Sequence, residues 1–195
     1  APSYGTEGGV AASFEASKSL EISARYFMKQ QQKNQSGTEE VIAPLISGRS
    51  DDFRIIFRTT ATTNLVLKSC FQFRTYRNEG EEHQPGYLIS QEARNSFPRC
   101  KWAIAAKLTL FDIPFYASRI YAYEPDILYG WSSPSHYGKG MRVVMMASKE
   151  IFGRLTLWGR IGIWNYGDRE VIGSGMDEIE GSVKADLTLQ ARIKL

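Results

Sequence analysis

The fourteen residues from Ser182 to Leu195, SVKADLTLQARIKL, alternate between polar and apolar side chains at every position. Successive side chains of a β-strand point to opposite faces of the sheet, so this stretch predicts one strand with an apolar face and a charged face. Strands of globular proteins are typically about 5–6 residues long, whereas a tilted strand that crosses a bilayer needs about 9–11 residues. The stretch therefore has the length and the pattern of a membrane-spanning strand.

The same alternation recurs upstream in clear and in weaker copies. Together they give about eleven strands and no helix, which predicts an all-β chain. We expect a single domain over residues 1–195, folded as an antiparallel transmembrane β-barrel of about 10–12 strands, alone or as part of a larger barrel. The clear copies are Ser19–Lys29, Asp52–Ala61, Asn64–Tyr76, Lys101–Phe111 and Arg154–Trp164, and the weaker ones are Gly9–Ala16, Gly86–Arg94, Tyr116–Glu124, Ile127–Ser132 and Gly140–Lys149.

The connections between these segments alternate between short and long. Such an alternation places short turns at one end of the sheet and long loops at the other, as in outer-membrane barrels. The short connections are Ser17–Lys18, Thr62–Thr63, Asn95–Cys100, Pro125–Asp126 and Glu150–Gly153, and the long ones are Gln30–Ser50, Arg77–Pro85, Asp112–Phe115, Ser133–Lys139 and Asn165–Gly181.

Aromatic residues cluster near the strand ends that lead into the long connections. Amphipathic rings prefer the headgroup level of a bilayer, so this cluster predicts an aromatic girdle. The alternative is the general preference of aromatic residues for strands. The residues concerned are Tyr26, Phe73, Tyr76, Tyr87, Phe111, Trp164 and Tyr166.

Composition excludes several classes of protein. No run of about 18 apolar residues occurs, which excludes a helical membrane span. The Cys and His residues lack zinc-site spacing, and no glycine-rich phosphate loop precedes a helix, so we expect neither a metal nor a cofactor. Cys70 and Cys100 could form one disulfide or remain two packing residues. Residue 1 is Ala and no secretory signal is visible, so we expect a mature chain or a segment of a longer one.

A water-soluble up-and-down barrel or sandwich is the competing architecture, because it shows the same alternation with its apolar face turned inward. Three features favour the membrane barrel. The strands are long, the connections are uneven, and the polar face is strongly basic yet interrupted by Phe27, Val66 and Trp158. A membrane barrel with these features predicts a location in the bacterial outer membrane.

The polar face of the strands is rich in bases although the whole chain has a net charge of only +3, from 24 Lys and Arg and 21 Asp and Glu. Its acids are few: Glu21, Asp52 and Asp186. If this face lines a lumen, its positive potential attracts anions or polyanions. The alternative is that acids or a plug pair with the bases. The bases that we predict to face the lumen are Arg25, Arg54, Arg58, Lys68, Arg74, Lys107, Arg160, Lys184 and Arg192.

Catalytic constellations are sparse in the sequence. Ser133, Ser135 and His136 could be interpreted as a nucleophile and its base in an external loop, but adjacency in sequence does not give triad geometry. The acidic loop from Asp168 to Glu180 lacks the ligand spacing of a calcium loop. We therefore predict that the chain is not an enzyme and has no catalytic residue.

From Gly86 onward the chain resembles the C-terminal barrel region of Bacteroidota helix-hairpin-helix (competence-type DNA-binding) outer-membrane proteins. The resemblance covers a little over half of the chain, and it implies an outer-membrane barrel. The helical hairpins of that family do not occur in this sequence, so nucleic acid is a partner only by analogy. The residues that carry the resemblance are Gly86–Gln91 (GYLISQ), Leu110–Asp112 (LFD), Ser118–Tyr129 (SRIYAYEPDILY), Tyr137–Gly140 (YGKG), Asp168–Gly175 (DREVIGSG) and Glu178–Gly181 (EIEG).

Three functions remain open at this stage. The first is a channel or conduit with a basic lumen, or a component of an outer-membrane surface or transport complex. The second is a structural or adaptor barrel with a closed lumen that anchors partner proteins. The third, which the scarcity of catalytic residues disfavours, is a barrel enzyme acting at the external rim through His136. The expected partners are outer-membrane lipid and lipopolysaccharide, with other outer-membrane or periplasmic subunits.

Overall fold

The computed structural model describes residues 4–34, 45–173 and 175–194. Nine long strands form one antiparallel sheet in the order β1-β2-β3-β4-β5-β6-β9-β10-β13, and two short strand pairs lie in the long connections. The long strands are β1 Gly5–Ser17, β2 Leu20–Asn34, β3 Leu45–Thr60, β4 Leu65–Asn78, β5 Gln84–Phe97, β6 Trp102–Ile113, β9 Gly138–Ile151, β10 Leu155–Tyr166 and β13 Val183–Ile193, and the short ones are β7 Ile120–Tyr121, β8 Ser135–His136, β11 Val171–Ile172 and β12 Ile179–Glu180.

The all-β prediction is confirmed, and alternation located all nine long strands. Of the predicted strands Tyr116–Glu124 and Ile127–Ser132, the first is reduced to the two-residue β7 and the second is not a strand, and neither joins the sheet, because β6 pairs directly with β9. The turn predicted at Pro125–Asp126 is wrong for the same reason. Among the described residues a closed barrel is not observed either: β1 pairs only with β2, and β13 pairs only with β10.

The alternation of short and long connections is retained. Residues 18–19, 61–64, 98–101 and 152–154 make short turns, while residues 79–83, 114–137 and 167–182 make longer connections. The predicted loop Gln30–Ser50 is shorter than expected, because β2 continues to Asn34 and β3 begins at Leu45. Residues 35–44 lie outside the described part. Short turns therefore join the strands at one end of the sheet.

The two faces of the sheet differ in chemistry throughout. A row of directly paired residues runs across β3 to β6 as Arg58, Lys68, Glu92 and Lys107, and we call the face that carries it the ionic face. A parallel row on the other face, the apolar face, contains Ile55, Phe71, Ile89, Leu110 and Met141. Paired residues share a face, so the register assigns each strand position to one of the two.

The apolar face is the uncovered one. Leu187 and Leu189 on β13 are 69% and 75% exposed, and large apolar side chains of β3 to β10 are also exposed on this face. The buried core lies on the ionic face instead, near the strand ends that lead into the long connections. It comprises Leu88, Phe111, Ile113, Ile120, Ala122, Trp164, Tyr166 and Ile172. In the part of the chain that the structure describes, no helix has the length and apolar character to cross a membrane.

Candidate functional site

Residues 114–137, between β6 and β9, fold back over the ionic face as a hairpin, which we call the inserted hairpin. It begins with a 3₁₀ turn at Tyr116–Ser118, and β7 then pairs with β8. Two further backbone bonds extend the ladder: the Ala122 N–H donates to the Pro134 carbonyl at 3.3 Å and the Glu124 N–H to the Ser132 carbonyl at 3.0 Å. The hairpin is a second layer on the sheet, and its strands do not belong to the nine-stranded sheet itself.

Glu124 joins the inserted hairpin to β9 and β10 by ionic bonds. Arg142 donates to both carboxylate oxygens of Glu124, from Nε at 2.7 Å and from Nη2 at 3.0 Å. Arg160 Nη2 donates to Glu124 Oε2 at 2.7 Å. The two guanidinium groups also donate to Asp186 on β13, at 3.1 Å from Arg142 and 2.6 Å from Arg160. These four residues, the Glu124 cluster, place two cations against two carboxylates.

The Glu124 cluster is buried on both sides of the contact. Arg142 is 3% exposed and Arg160 is 6% exposed as whole residues. A buried charge is costly unless it is paired and hydrogen-bonded, and here both guanidinium groups are satisfied by carboxylates. Gly162 provides the space they occupy, because a Cβ at this position would lie 2.5 Å from Arg142 Nη2 and 2.8 Å from the Asp186 carboxylate. The cluster therefore fixes the hairpin to β9, β10 and β13, the last three strands of the sheet.

The end of the inserted hairpin that returns to β9 packs through His136. The His136 ring lies 4.9 Å from the Trp164 ring and 5.3 Å from the Phe111 ring, and Trp164 stacks on Tyr166 at 5.6 Å. His136 is fully buried, and burial lowers its pKa to about 4, with Lys107 adding to the shift and the backbone of Ile120 opposing it. Its imidazole is therefore neutral at pH 7.

These contacts correct two predictions. His136 is not in an external loop, and neither of its ring nitrogens is hydrogen-bonded to Ser133 or Ser135 in the described structure. Phe111, Trp164 and Tyr166 are buried on the ionic face and do not belong to an outer girdle. Tyr76 also lies on the ionic face, so it does not belong to an outer girdle either. Tyr26, Phe73 and Tyr87 do lie on the apolar face, where Tyr26 and Phe73 flank Phe53 in one paired row that continues to Tyr87.

The nine predicted bases all lie on the ionic face, but the structure does not gather them into one site. Lys107 donates to the Tyr123 carbonyl of the inserted hairpin, and Arg160 belongs to the Glu124 cluster. Arg54 donates to Gln72 at 2.9 Å, and Arg25 pairs with Asp52 at 3.3 Å. Arg192 lies 5.5 Å from the Trp158 ring, and Lys184 is exposed at the start of β13. Many of these bases are thus compensated inside the protein.

Two of the cavities on the ionic face border the predicted bases Arg58, Lys68 and Arg74. One, of about 370 Å³, is lined by Arg58, Lys68 and Arg94 together with Glu21 and Glu92, and we call it the balanced cavity. The other, of about 510 Å³, contains Arg74. These three bases therefore border open space on the ionic face.

Sequence reasoning did not assign four charged residues to this region: Glu92, Arg119, Glu124 and Arg142. The two-residue alternation along the strands could have placed two of them on the ionic face. Glu92 follows Leu88 and Ser90 at intervals of two residues on β5, and Arg142 precedes Val144 and Met146 in the same way on β9. No pattern places Glu124 or Arg119, because both lie on the inserted hairpin.

Other candidate groups remain isolated. His83 is near Thr75 and Arg77 in the β4–β5 connection, with both contacts at 3.4 Å. Cys70 and Cys100 are both free thiols, the first half-buried on the ionic face and the second exposed in a turn. Within the described ranges no group of His, Cys, Asp or Glu has the arrangement of a metal site. The acidic loop after β10 forms the short β11–β12 pair.

No protein-family model, curated protein or solved structure matches this chain. The features of the chain that bear on its function are therefore the two faces of the sheet, the inserted hairpin and the cavities of the ionic face.

Proposed function

We propose that this chain is part of the wall of an outer-membrane β-barrel, and that it forms an occluded conduit in a surface or transport complex. One observation carries the proposal: the exposed face of the sheet is apolar, while the covered face is ionic. In a water-soluble barrel or sandwich the apolar face is the buried one. An exposed apolar surface of this extent marks a contact with membrane or protein.

Strand length and connectivity support the same proposal. The nine long strands contain 11 to 16 residues each, which meets or exceeds the ~9–11 residues that a tilted strand needs to cross the hydrocarbon core. Short turns at one end and long connections at the other are typical of outer-membrane barrels. The family resemblance of the segments after Gly86 points in the same direction.

Membrane insertion requires that the free edges of β1 and β13 be paired, because an unpaired backbone group in hydrocarbon costs several kcal/mol. Neighbouring strands in the sheet are antiparallel and β13 is eight strands away from β1, so these two edge strands run in the same direction. Direct pairing of β1 with β13 would be parallel. An odd number of further strands would complete an antiparallel ring, and the proposal includes such strands.

The inserted hairpin would narrow the lumen of such a barrel. It neutralises Arg142 and Arg160 and binds Lys107, so it fills the half of the ionic face formed by β5 to β10. The two open cavities lie toward β2, β3 and β4. A lumen with this arrangement is narrowed by the hairpin and keeps bases along the remaining passage. Anions are then the favoured solutes.

A permanently closed adaptor barrel is the second candidate, and the buried Glu124 cluster favours it. Conductance in planar bilayers separates the two. Ile113 and Gly138 are paired neighbours on β6 and β9, so a short glycine-rich turn can replace residues 114–137 without changing the register. For a conduit we expect low conductance from the unaltered protein and a larger, anion-selective conductance after this replacement.

Substitution of Arg58 by Gln in the hairpin-less protein should reduce the anion preference, because Arg58 borders the balanced cavity. Substitution of Arg77, which lies on the opposite face of β4, provides the control. A hairpin-less protein that inserts into the bilayer but stays electrically silent would contradict the conduit and support the adaptor.

A further inference from the structure

The larger cavity on the ionic face has a charge composition unlike that of its neighbour. It lies between β2, β3, β4 and the start of the inserted hairpin, and its volume is about 510 Å³. Lys29, Arg74 and Arg119 line it, and among the described residues no Asp or Glu does. The balanced cavity, by contrast, contains Glu21 and Glu92 among its bases. We call the larger one the basic cavity.

Arg74 is the central cation of the basic cavity. Its nearest acid in the sheet is Asp52, which is directly opposite on β3. That carboxylate is already engaged, since it accepts bonds from Gln72 at 2.5 Å and from Arg25 at 3.3 Å. The Nε of Arg74 is buried and has no hydrogen-bond partner among the described residues. A buried guanidinium donor without a partner indicates a missing acceptor.

Arg119 supplies a second guanidinium, held in place by two tyrosine residues. Its Nε donates to the Tyr121 hydroxyl at 3.0 Å and its Nη1 to the Tyr116 carbonyl at 3.2 Å. The same group lies over the Tyr116 ring at 4.4 Å. No carboxylate of the described residues forms an ion pair with Arg74 or Arg119. The third cation, Lys29, has one ionic contact among the described residues, at 3.8 Å with the exposed Glu7.

We propose that the basic cavity binds a phosphorylated sugar, with Arg74 and Arg119 gripping the phosphate. Arginine forks match phosphate oxygens and form strong charge-assisted hydrogen bonds. Beside the two guanidinium groups the cavity presents the rings of Tyr116 and Tyr121 and the Ser50 hydroxyl, which suit a ring with hydroxyl substituents. The proposal extends the function given above, but binding does not require an open lumen.

Calorimetric titration of the detergent-solubilised protein with glucose 6-phosphate tests this site. We expect saturable binding that weakens by about tenfold or more when Arg74 or Arg119 is changed to Gln, since each variant loses about one charge-assisted bond. Arg74→Lys should retain part of the affinity. Arg77→Gln is the control, because Arg77 lies three residues further along β4 on the opposite face.

Comparison ligands define the class of compound. Glucose should not bind measurably, and inorganic phosphate should bind more weakly than glucose 6-phosphate. Equal binding of inorganic phosphate would overturn the assignment to a sugar, and absence of binding by the unaltered protein would overturn the site. Lipopolysaccharide micelles carry the same phosphosugar chemistry. Competition by glucose 6-phosphate against the micelles supports the proposal, whereas micelle binding that glucose 6-phosphate does not displace contradicts it.

The two proposals fail separately. Conductance is measured on the hairpin-less protein, whereas binding is measured on the unaltered protein, which retains Arg119. A silent hairpin-less protein together with glucose 6-phosphate binding by the unaltered protein would contradict the conduit and leave the basic cavity intact. A conducting hairpin-less protein together with no binding of either phosphate compound by the unaltered protein would contradict the basic cavity and leave the conduit intact.

Discussion

Substitution of Glu124 by Gln is expected to destabilise the protein by about 3–5 kcal/mol, which is the cost of removing one partner from a buried ion pair. The variant keeps the size of the side chain but removes its charge. Arg142 then keeps only the partly exposed Asp186 as an acidic partner among the described residues, and Arg160 keeps Asp186 and a longer 3.7 Å contact with Asp126. Urea unfolding in detergent micelles, followed by tryptophan fluorescence, measures the change.

Glu150→Gln is the matched control for this variant. Glu150 also pairs with a base, Lys101 at 2.7 Å, but at the solvent-exposed end of the sheet. Exposed ion pairs contribute little to stability, so the control should unfold like the unaltered protein. The double variant Glu124→Gln with Arg142→Gln should be less unstable than the sum of its parts, since the two groups interact directly. A Glu124→Gln variant as stable as the control would refute the role of the cluster.

Substitution of Leu189 by Arg has the second large effect. Leu189 is 75% exposed and lies on the apolar face near the middle of β13. In water, a surface substitution of this kind changes stability by no more than about 0.5 kcal/mol. In a membrane, an arginine on the lipid-facing side of a barrel costs about 2–4 kcal/mol near the midplane. The sign and size of the change therefore report which solvent surrounds this face.

Gln190→Arg is the control for the membrane prediction, because residue 190 follows on the same strand and points to the ionic face. Its neighbour across the pair is Trp158, whose ring accommodates a guanidinium well. Unfolding from lipid vesicles by urea should show a large loss of stability for Leu189→Arg and little for Gln190→Arg. Equal stability of the two variants would contradict a lipid-facing surface at β13.

The sequence was informative wherever alternate residues lie on opposite faces of the sheet, one apolar and one ionic. Alternation located the nine long strands, and the lengths of the connections gave their up-and-down order. The same alternation also shows which face each aromatic residue occupies, which the prediction of the girdle did not take into account. Phe111 is two residues after Thr109, and Trp164 is four residues after Arg160, so both positions belong to the ionic face. Proximity to a strand end was the weaker signal.

The inserted hairpin was beyond this kind of reasoning. Residues Tyr116–Glu124 carry a weak alternation, as do the segments that form β1, β5 and β9, so the pattern does not distinguish the hairpin from a strand of the sheet. Its position depends on Glu124 meeting Arg142 and Arg160, which are distant in sequence and adjacent only after folding. The burial of His136 follows from the same event. Local pattern does not contain these contacts.

Lipid contact of the apolar face is the central claim, and fluorescence quenching by acyl chains tests it most directly. Single-cysteine variants at Leu187 and at Gln190, made in a protein with Cys70 and Cys100 changed to Ser, carry a bimane label in vesicles of brominated phosphatidylcholine. Strong quenching at position 187 and weak quenching at position 190 is the predicted result. Weak quenching at position 187, or stronger quenching at position 190, would contradict the account.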